Sequence, residues 1–225
     1  MAIEELLRKR KRIFIIPLDH PLSDVPSLRK ITVEGFLDLT DDLEHDGYIF
    51  NYERFAENPY KGKKSFFVTV GEYLDGIKYE VSEIKKHNQI NAVSIFMQVK
   101  DENDYLAYDF YKDYVKELKE NGYFVMAMAF PEDENNCNYQ HIIDIVKKLG
   151  CDAIKTDWFE GAEDADLGSL KLFIAGGPVQ NDTDFEKSIL DISKLGNASY
   201  SFGRNIFEVP NYKHRIKLVA DIVKS

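Results

Sequence analysis

Residues 123–156 read YFVMAMAFPEDENNCNYQHIIDIVKKLGCDAIKT. The first run, Tyr123–Phe130, is almost continuously apolar, as expected of a strand that is covered on both faces. In Tyr139–Leu149 the apolar residues recur at helical spacing. Gly150 can adopt the left-handed backbone conformation that commonly ends a helix at its C-terminus. A second apolar run, Ala153–Thr156, follows it. The stretch therefore predicts a strand–helix–strand unit with parallel strands.

The same unit recurs along the chain. Eight short, β-rich apolar runs alternate with helical patterns: Ile13–Leu18, Tyr48–Phe50, Ser65–Val70, Ala92–Val99, Tyr123–Phe130, Ala153–Thr156, Lys171–Ala175 and Ser199–Phe202. A glycine that we predict to end the preceding helix stands just before four of them: Gly47, Gly122, Gly150 and Gly196. Two helical segments, Tyr52–Pro59 and Glu160–Gly168, are short. We predict a compact α/β fold, a (β/α)8 TIM barrel in one domain over residues 1–225. An open doubly wound sheet is the alternative, weakened because no Gly-x-Gly-x-x-Gly or Walker-type loop follows a strand.

Composition excludes several classes of protein. The charge balance, 29 Lys+Arg against 39 Asp+Glu, gives a net charge of −10, which argues against nucleic acid or an anionic membrane as partner. Two cysteines do not make a disulfide framework, and five histidines without ligand spacing predict no metal site. We predict no cofactor. Without a long apolar run or a signal-peptide pattern at the N-terminus, the expected location is the cytoplasm.

Lys155 stands in the apolar sixth run. Desolvating an ammonium group costs several kcal/mol, so a lysine in a buried strand needs a reason. Burial lowers the pKa of a lysine, and Schiff-base formation with a carbonyl requires the neutral amine. The alternative is an ion pair with Asp19, Asp152 or Asp157. The sequence leaves both interpretations open.

Asp19 and His20 end the first predicted strand, where a βα barrel places its reactive groups. A carboxylate that follows five apolar residues is costly unless its charge is used or paired. Asp19 is thus either a general acid/base or the cap of the following turn.

The ends of the last two predicted strands carry glycines. Gly176 and Gly177 follow the seventh strand, and Gly203 and Arg204 follow the eighth. Paired glycines let backbone N–H groups approach an anion, and these two loops form the recurrent phosphate site of barrels. The guanidinium group of Arg204 adds a bidentate hydrogen-bond donor for phosphate oxygens. Tight turns with a surface arginine are the structural alternative.

Four motifs in order resemble the archaeal-type class I aldolases, the group related to deoxyribose-phosphate aldolase that includes fructose-bisphosphate aldolase and 2-amino-3,7-dideoxy-threo-hept-6-ulosonate synthase. The motifs are Ile16-Pro17-Leu18-Asp19-His20, Asp152-Ala153-Ile154-Lys155-Thr156, Ile174-Ala175-Gly176-Gly177-Pro178 and Phe202-Gly203-Arg204-Asn205-Ile206-Phe207.

The resemblance implies a (β/α)8 barrel in which Lys155 forms the imine and Asp19 transfers protons. It implies that Gly176, Gly177, Gly203 and Arg204 hold a substrate phosphate. We also predict that His20 and Trp158, which stand next to Asp19 and near Lys155, contact the substrate. The alternative for Trp158 is that its side chain only packs against neighbouring residues and does not line the pocket. The family frequently forms symmetric oligomers, so a homo-oligomer is possible here.

One family feature is missing. Where the family ends its fifth strand with Tyr-Pro-Arg-Gly and uses the tyrosine as an acid/base, this chain has Ala129-Phe130-Pro131-Glu132. Phe130 cannot donate a proton, Glu132 would repel an anion, and Pro21 replaces a glycine of the first motif.

Three explanations for the missing tyrosine stay open. Asp19 or a water takes over the proton step, the enzyme uses another donor or acceptor, for instance in a transaldolase-type transfer, or the barrel binds a sugar phosphate with little catalysis. We therefore expect a metal-independent class I aldolase acting on a phosphorylated keto compound. The alternatives are a sugar-phosphate-binding scaffold, or another Schiff-base or acyl-transfer reaction on the same fold.

Overall fold

The computed structural model describes residues 2–19, 32–72, 76–99, 105–133 and 137–225. Eight parallel strands form a closed barrel in which the first strand pairs with both the second and the last. The barrel strands are β1 (Phe14–Leu18), β2 (Gly47–Asn51), β3 (Ser65–Thr69), β6 (Ala92–Val99), β7 (Phe124–Pro131), β8 (Ala153–Thr156), β9 (Lys171–Ala175) and β10 (Ser199–Ser201). Two short strands, β4 (Gly71–Glu72) and β5 (Gly76–Ile77), pair in a separate antiparallel sheet. The predicted (β/α)8 barrel is confirmed.

Helices lie between most of the barrel strands. They are α1 (Ile3–Lys9), α2 (Val33–Thr40), α3 (Tyr52–Glu57), α4 (Val81–Ile84), α5 (Tyr105–Glu120), α6 (Tyr139–Leu149), α7 (Asp182–Ser193), α8 (Arg204–Phe207) and α9 (Tyr212–Lys224). The short helix expected after β2 is α3. The segment 160–168 forms turns instead of a helix, since Gly161 and Gly168 adopt positive φ angles of 82° and 56°, which interrupt helical geometry.

One predicted helix exit is wrong. Gly150 ends α6 in the left-handed conformation, with φ 81°, as expected. Gly47, however, is the first residue of β2 and does not have a positive φ. A Cβ atom at this position would collide with the carbonyl oxygen of Ser65 on the neighbouring strand. Close strand approach therefore explains this glycine.

Large apolar side chains fill the barrel interior below the C-terminal ends of the strands. Ile15, Phe67 and Phe173 lie there in one hydrophobic cluster with Ile3 and Leu6 of α1. The N-terminal helix thus packs against the same cluster as the interior of the barrel. A second, larger cluster joins the outer faces of the strands to the surrounding helices.

Candidate active site

A cavity of about 1140 Å³ opens among the C-terminal ends of the strands, where barrels carry their active sites. Its walls come from the ends of β1, β2, β3, β6, β7, β8, β9 and β10 and from the loops that follow. Lys155, Asp19, Gly176, Gly177, Gly203 and Arg204 all line it. The structure thus brings six of the eight predicted site residues to one place.

Lys155 lies at the buried end of this cavity. Its relative exposure is 4%, and its Nζ lies 3.7 Å from the Sδ atom of Met128, the residue paired with it on β7. Among the residues that the structure describes, no carboxylate forms an ion pair with this nitrogen. Burial lowers the pKa of Lys155, while the charges of Asp19 and Asp157 act in the opposite direction. The balance favours a more easily deprotonated amine.

Asp152 does not neutralise Lys155. The Asp152 carboxylate forms an ion pair with Lys119 of α5 and accepts a hydrogen bond from the backbone N–H of Val125 at 2.8 Å. It precedes β8, at the end of the strand away from the cavity. The alternative of a simple structural ion pair through Asp152 is therefore excluded by position.

Asp19 follows β1 directly and is partly buried at the cavity wall. The hydroxyl of Thr69 lies 3.4 Å from its Oδ2 atom and 2.8 Å from the hydroxyl of Ser94. Asp19 therefore has a neighbouring hydroxyl on β3 that helps to orient it. His20 lies outside the described residues, so its predicted role stays a prediction.

The glycines of the expected phosphate site have two different physical origins. Gly177 has a φ of 63°, which L side chains rarely adopt. At Gly176 a Cβ atom would lie 2.8 Å from the ring of Phe202, and at Gly203 it would lie 3.0 Å from the carbonyl oxygen of Pro17. The exposed side chain of Arg204 follows at the same rim.

Asn205 holds the glycine loop in place, a role that sequence reasoning missed. Its side-chain amide donates to the carbonyl oxygens of Gly176 at 2.7 Å and Pro178 at 2.8 Å. Its side-chain oxygen accepts from the backbone N–H of Gln180 at 2.8 Å. One side chain after β10 thereby fixes the backbone after β9.

Arg215 of α9 holds Asn205 in position through hydrogen bonds. Its buried guanidinium donates to the Asn205 backbone and side-chain oxygens at 3.1 and 3.2 Å, and to the Gln180 carbonyl oxygen at 2.8 Å. It also pairs with Asp182 at 2.6 Å and lies over the ring of Phe185. The sequence gives no local signal for this network, because its members are separated by 10 to 35 positions.

Trp158 was predicted to contact the substrate, and its position does not support this. It does not line the cavity, and 48% of its surface is exposed. Trp158 lies two residues beyond the end of β8, where the alternation of a strand no longer sets the direction of a side chain. Proximity to Lys155 in sequence therefore did not place Trp158 at the pocket.

Phe130 occupies the cavity wall at the end of β7. Its ring stacks on that of Phe96 on β6, with centroids 5.7 Å apart and an interplanar angle of 22°. Both rings line the cavity. Glu132 follows β7 with an exposed side chain and does not line the cavity.

A carboxylate-rich wall forms the side of the cavity near α2 and α3. Glu34, Glu53 and Glu57 line it together with one cation, Arg54. The Asn58 amide donates to Glu34 at 3.1 Å, and Glu53 forms an ion pair with Lys78 at 2.7 Å. Sequence reasoning did not identify this wall, since its members come from helices rather than from strand ends.

The described residues contain neither a metal-binding cluster nor a membrane-spanning helix. In the described part of the chain, no group of three or more His, Cys, Asp and Glu side chains is arranged to hold a metal ion. No helix within the described ranges has both the length and the apolarity needed to cross a membrane.

Comparison with known proteins confirms the resemblance read from the motifs. No family model matches the chain. The chain is 22% identical to 2-amino-4,5-dihydroxy-6-oxo-7-(phosphonooxy)heptanoate synthase from Streptomyces griseus, over 94% of this chain and 85% of that protein. Its fold is similar to a Schiff-base-forming fructose-1,6-bisphosphate aldolase, with a TM-score of 0.83, 19% identity and 98% of both chains covered. A structure of an archaeal fructose-1,6-bisphosphate aldolase with its catalytic lysine bound to a carbinolamine intermediate gives a TM-score of 0.82, 19% identity and 99% coverage of both chains. The full-length fold is thus shared with Schiff-base aldolases.

Proposed function

We propose that this protein is a class I aldolase that makes or breaks a C–C bond of a phosphorylated keto compound through a Schiff base on Lys155. The observation that carries the proposal is the buried amine of Lys155, which faces the cavity without a carboxylate ion-pair partner among the described residues. The relatives named above are a phosphorylated-heptanoate synthase and Schiff-base aldolases, which supports the same chemistry.

The reaction needs a neutral amine and a group that moves protons. The lone pair of Lys155 Nζ forms the bond to the substrate carbonyl carbon, and the carbonyl π electrons pass to its oxygen, which takes up a proton. Nζ then releases a proton and the oxygen takes up a second one, so that it leaves as water; the iminium ion that remains accepts the electron pair of the C–C bond that breaks. Asp19, oriented by Thr69, is the carboxylate in the cavity that we assign to the proton transfers.

A phosphate group would lie at the rim of β9 and β10. There the backbone of Gly176 and Gly177 is exposed to the cavity without side chains, and Arg204 supplies a guanidinium. Asn205 and Arg215 keep this loop in one conformation. The phosphate thereby sets the distance of the carbonyl from Lys155.

The carboxylate-rich wall restricts the other end of the substrate. A second phosphate beside Glu34 and Glu57 would be repelled, whereas the charge of Glu53 is paired with Lys78 and Arg54 supplies the cation in the lining of this wall. The wall therefore favours a substrate with one phosphate and a neutral or cationic far end. The loss of the family tyrosine at Phe130 fits a donor or acceptor other than that of a bisphosphate aldolase, and a transaldolase-type transfer belongs to this set.

A second function is favoured by one observation. Phe130 lies in the cavity where the aldolase family has its acid/base tyrosine, and its stacking on Phe96 gives it a packing role. A barrel that binds a sugar phosphate with little catalysis would have this arrangement. The fold alone does not separate the two functions.

The test combines binding and turnover in matched variants. Phosphorylated ketoses with one or two phosphates are offered to the wild-type protein, and aldehyde release and binding heat are both measured. We expect cleavage of a monophosphate, lost in Lys155→Met and kept in Lys171→Met, whose lysine lies exposed at the start of neighbouring β9. Binding without cleavage in the wild-type protein, unchanged in Lys155→Met, would instead establish the binding barrel.

A further inference from the structure

Ser201 carries a buried hydroxyl that no part of the mechanism has used. It is the last residue of β10, is 1% exposed and lines the cavity. Within the described residues its Oγ atom has no hydrogen-bond partner. An unpaired buried hydroxyl destabilises a fold, so a hydroxyl that faces a binding cavity points to a partner on the ligand.

The strand register places Ser201 at the same height in the barrel as Lys155. Lys155 pairs with Phe173, and Phe173 pairs with Ser199. In an eight-stranded barrel of shear eight, a residue at the same height on the next strand lies one position after the paired residue. Two strands on from Lys155, the residue at the same height is therefore Ser201, two positions after Ser199. Layers of this fold take four side chains from alternate strands. By the same register, Ile49 and Ser94 complete this layer.

Only two members of this layer face the cavity. Lys155 and Ser201 line it, whereas Ile49 and Ser94 do not. The Ser94 hydroxyl is already bonded to Thr69 at 2.8 Å. Among the described side chains at the level of the amine, Ser201 is therefore the hydroxyl that remains to meet a substrate.

We propose that the Ser201 hydroxyl binds the substrate oxygen at the carbon that Lys155 attacks. This inference rests on the proposed function. The hydroxyl donates to the carbonyl oxygen while the bond to Nζ forms, and it continues to hold that oxygen after it has gained a proton as the carbinolamine hydroxyl. Ser201 gains and loses no proton overall, because the proton that Nζ releases reaches the oxygen through Asp19. The residue thus stabilises the negative charge that develops on that oxygen.

The experiment measures how fast Lys155 traps a ketone. Wild-type protein and Ser201→Ala are mixed with dihydroxyacetone phosphate at saturating concentration and sodium borohydride, and the covalent adduct is followed by intact mass. We expect the trapping rate to fall about three- to tenfold in Ser201→Ala, the effect of one hydrogen bond between neutral groups. The midpoint of thermal unfolding should stay equal or rise, because the variant loses an unpaired polar atom.

Thr156 offers a matched control. It follows Lys155, is fully buried and also has a hydroxyl without a partner among the described residues, but it does not line the cavity. Thr156→Val should therefore trap the ketone at the wild-type rate.

The other results of the trapping and unfolding measurements distinguish a failure of this inference from a failure of the proposed function. An unchanged trapping rate in Ser201→Ala, or an equal fall in Thr156→Val, overturns the role of Ser201 and leaves the proposed function intact. A fall in the unfolding midpoint of Ser201→Ala with no change in rate shows a structural role and overturns the proposal as well. If the wild-type protein forms no adduct with any phosphorylated ketone, the proposed function itself is wrong, and this inference is wrong with it.

Discussion

The side-chain nitrogen of Lys155 lies 3.7 Å from the sulfur of Met128 rather than beside a carboxylate. The thioether is a weak acceptor and carries no charge, so it does little to stabilise an ammonium ion. Burial then determines the direction in which the pKa of the lysine moves, which is downward.

Met128→Glu should reverse this effect. A carboxylate beside the amine favours the charged form and raises a pKa by about 1–3 units. We expect the rate of ketone trapping at neutral pH to fall and the midpoint of its pH profile to move upward. Met128→Leu, which keeps a similar volume without a charge, should keep the wild-type midpoint. Identical midpoints for the glutamate and leucine variants would contradict the assigned role of burial.

Phe130→Tyr restores the missing hydroxyl. If proton transfer limits turnover, we expect the rate of C–C cleavage to rise, up to about 10²-fold, since a positioned general acid contributes at least that much in enzymes. The ring stack on Phe96 should survive the change. Phe96→Tyr adds the same group on the neighbouring strand and should give no comparable gain. An unchanged rate in Phe130→Tyr would show that another group, such as Asp19, already supplies the proton.

Asn205→Ala should weaken phosphate binding specifically. The carbonyl oxygens of Gly176 and Pro178 each lose a donor, so the glycine loop is no longer held in one conformation. We expect the dissociation constant for a phosphorylated ketose to rise about tenfold, as for the loss of two hydrogen bonds, with little effect on the ketose without phosphate. Calorimetric titration with both compounds measures the difference.

Asn211→Ala is the matched control for this experiment. Asn211 donates to Asp182 at 3.0 Å and, in the described part of the chain, forms no hydrogen bond with the glycine loop. Its replacement should leave both dissociation constants near their wild-type values. Equal losses for the phosphorylated and unphosphorylated ketose in Asn205→Ala would argue against a phosphate site at this loop.

The buried side chain of His45 should make the free energy of unfolding depend on pH. It is buried against the rings of Phe14 and Tyr48, and its two ring nitrogens have no hydrogen-bond partner among the described residues. Burial, with a smaller contribution from the charge of Lys64, lowers the pKa of His45 from 6.5 to about 3. Between these values the unfolded chain binds a proton that the folded chain does not. Stability from this residue is therefore complete above pH 6.5 and is lost as the pH falls toward 3.

His45→Leu should remove this contribution. Denaturant unfolding of both proteins between pH 7 and pH 4 measures the difference in their free energies of unfolding. We expect the difference to change by up to about 1.4 kcal/mol per pH unit, the value for one proton. Parallel pH profiles for the two proteins would show that His45 does not titrate on unfolding.

The sequence predicted those parts of the fold that depend on local pattern. Apolar runs located the eight barrel strands, and a lysine in the apolar strand Ala153–Thr156 marked the candidate nucleophile, because burial of a charge is unusual in any context. Gly176 and Gly203 were identified because they follow the last two strands, where barrels bind phosphate, although close packing against Phe202 and Pro17 accounts for them as directly as an anion does.

The parts that were missed depend on tertiary structure. Arg215 reads as an ordinary basic residue of a C-terminal helix, and only the packing of α9 brings it to Asn205. Ser201 looks like any strand serine until the barrel closes and the tilt brings it level with Lys155. Trp158 was assigned from its distance along the chain, which does not report the direction of a side chain after a strand.

The central claim is that Lys155 is the amine that forms the imine. It is tested most directly by borohydride reduction of the protein with dihydroxyacetone phosphate, followed by digestion and peptide mass spectrometry. The account predicts one stable adduct per chain, located on the peptide that contains Lys155 and absent from Lys155→Met. An adduct on another lysine, or one that persists in Lys155→Met, would contradict it.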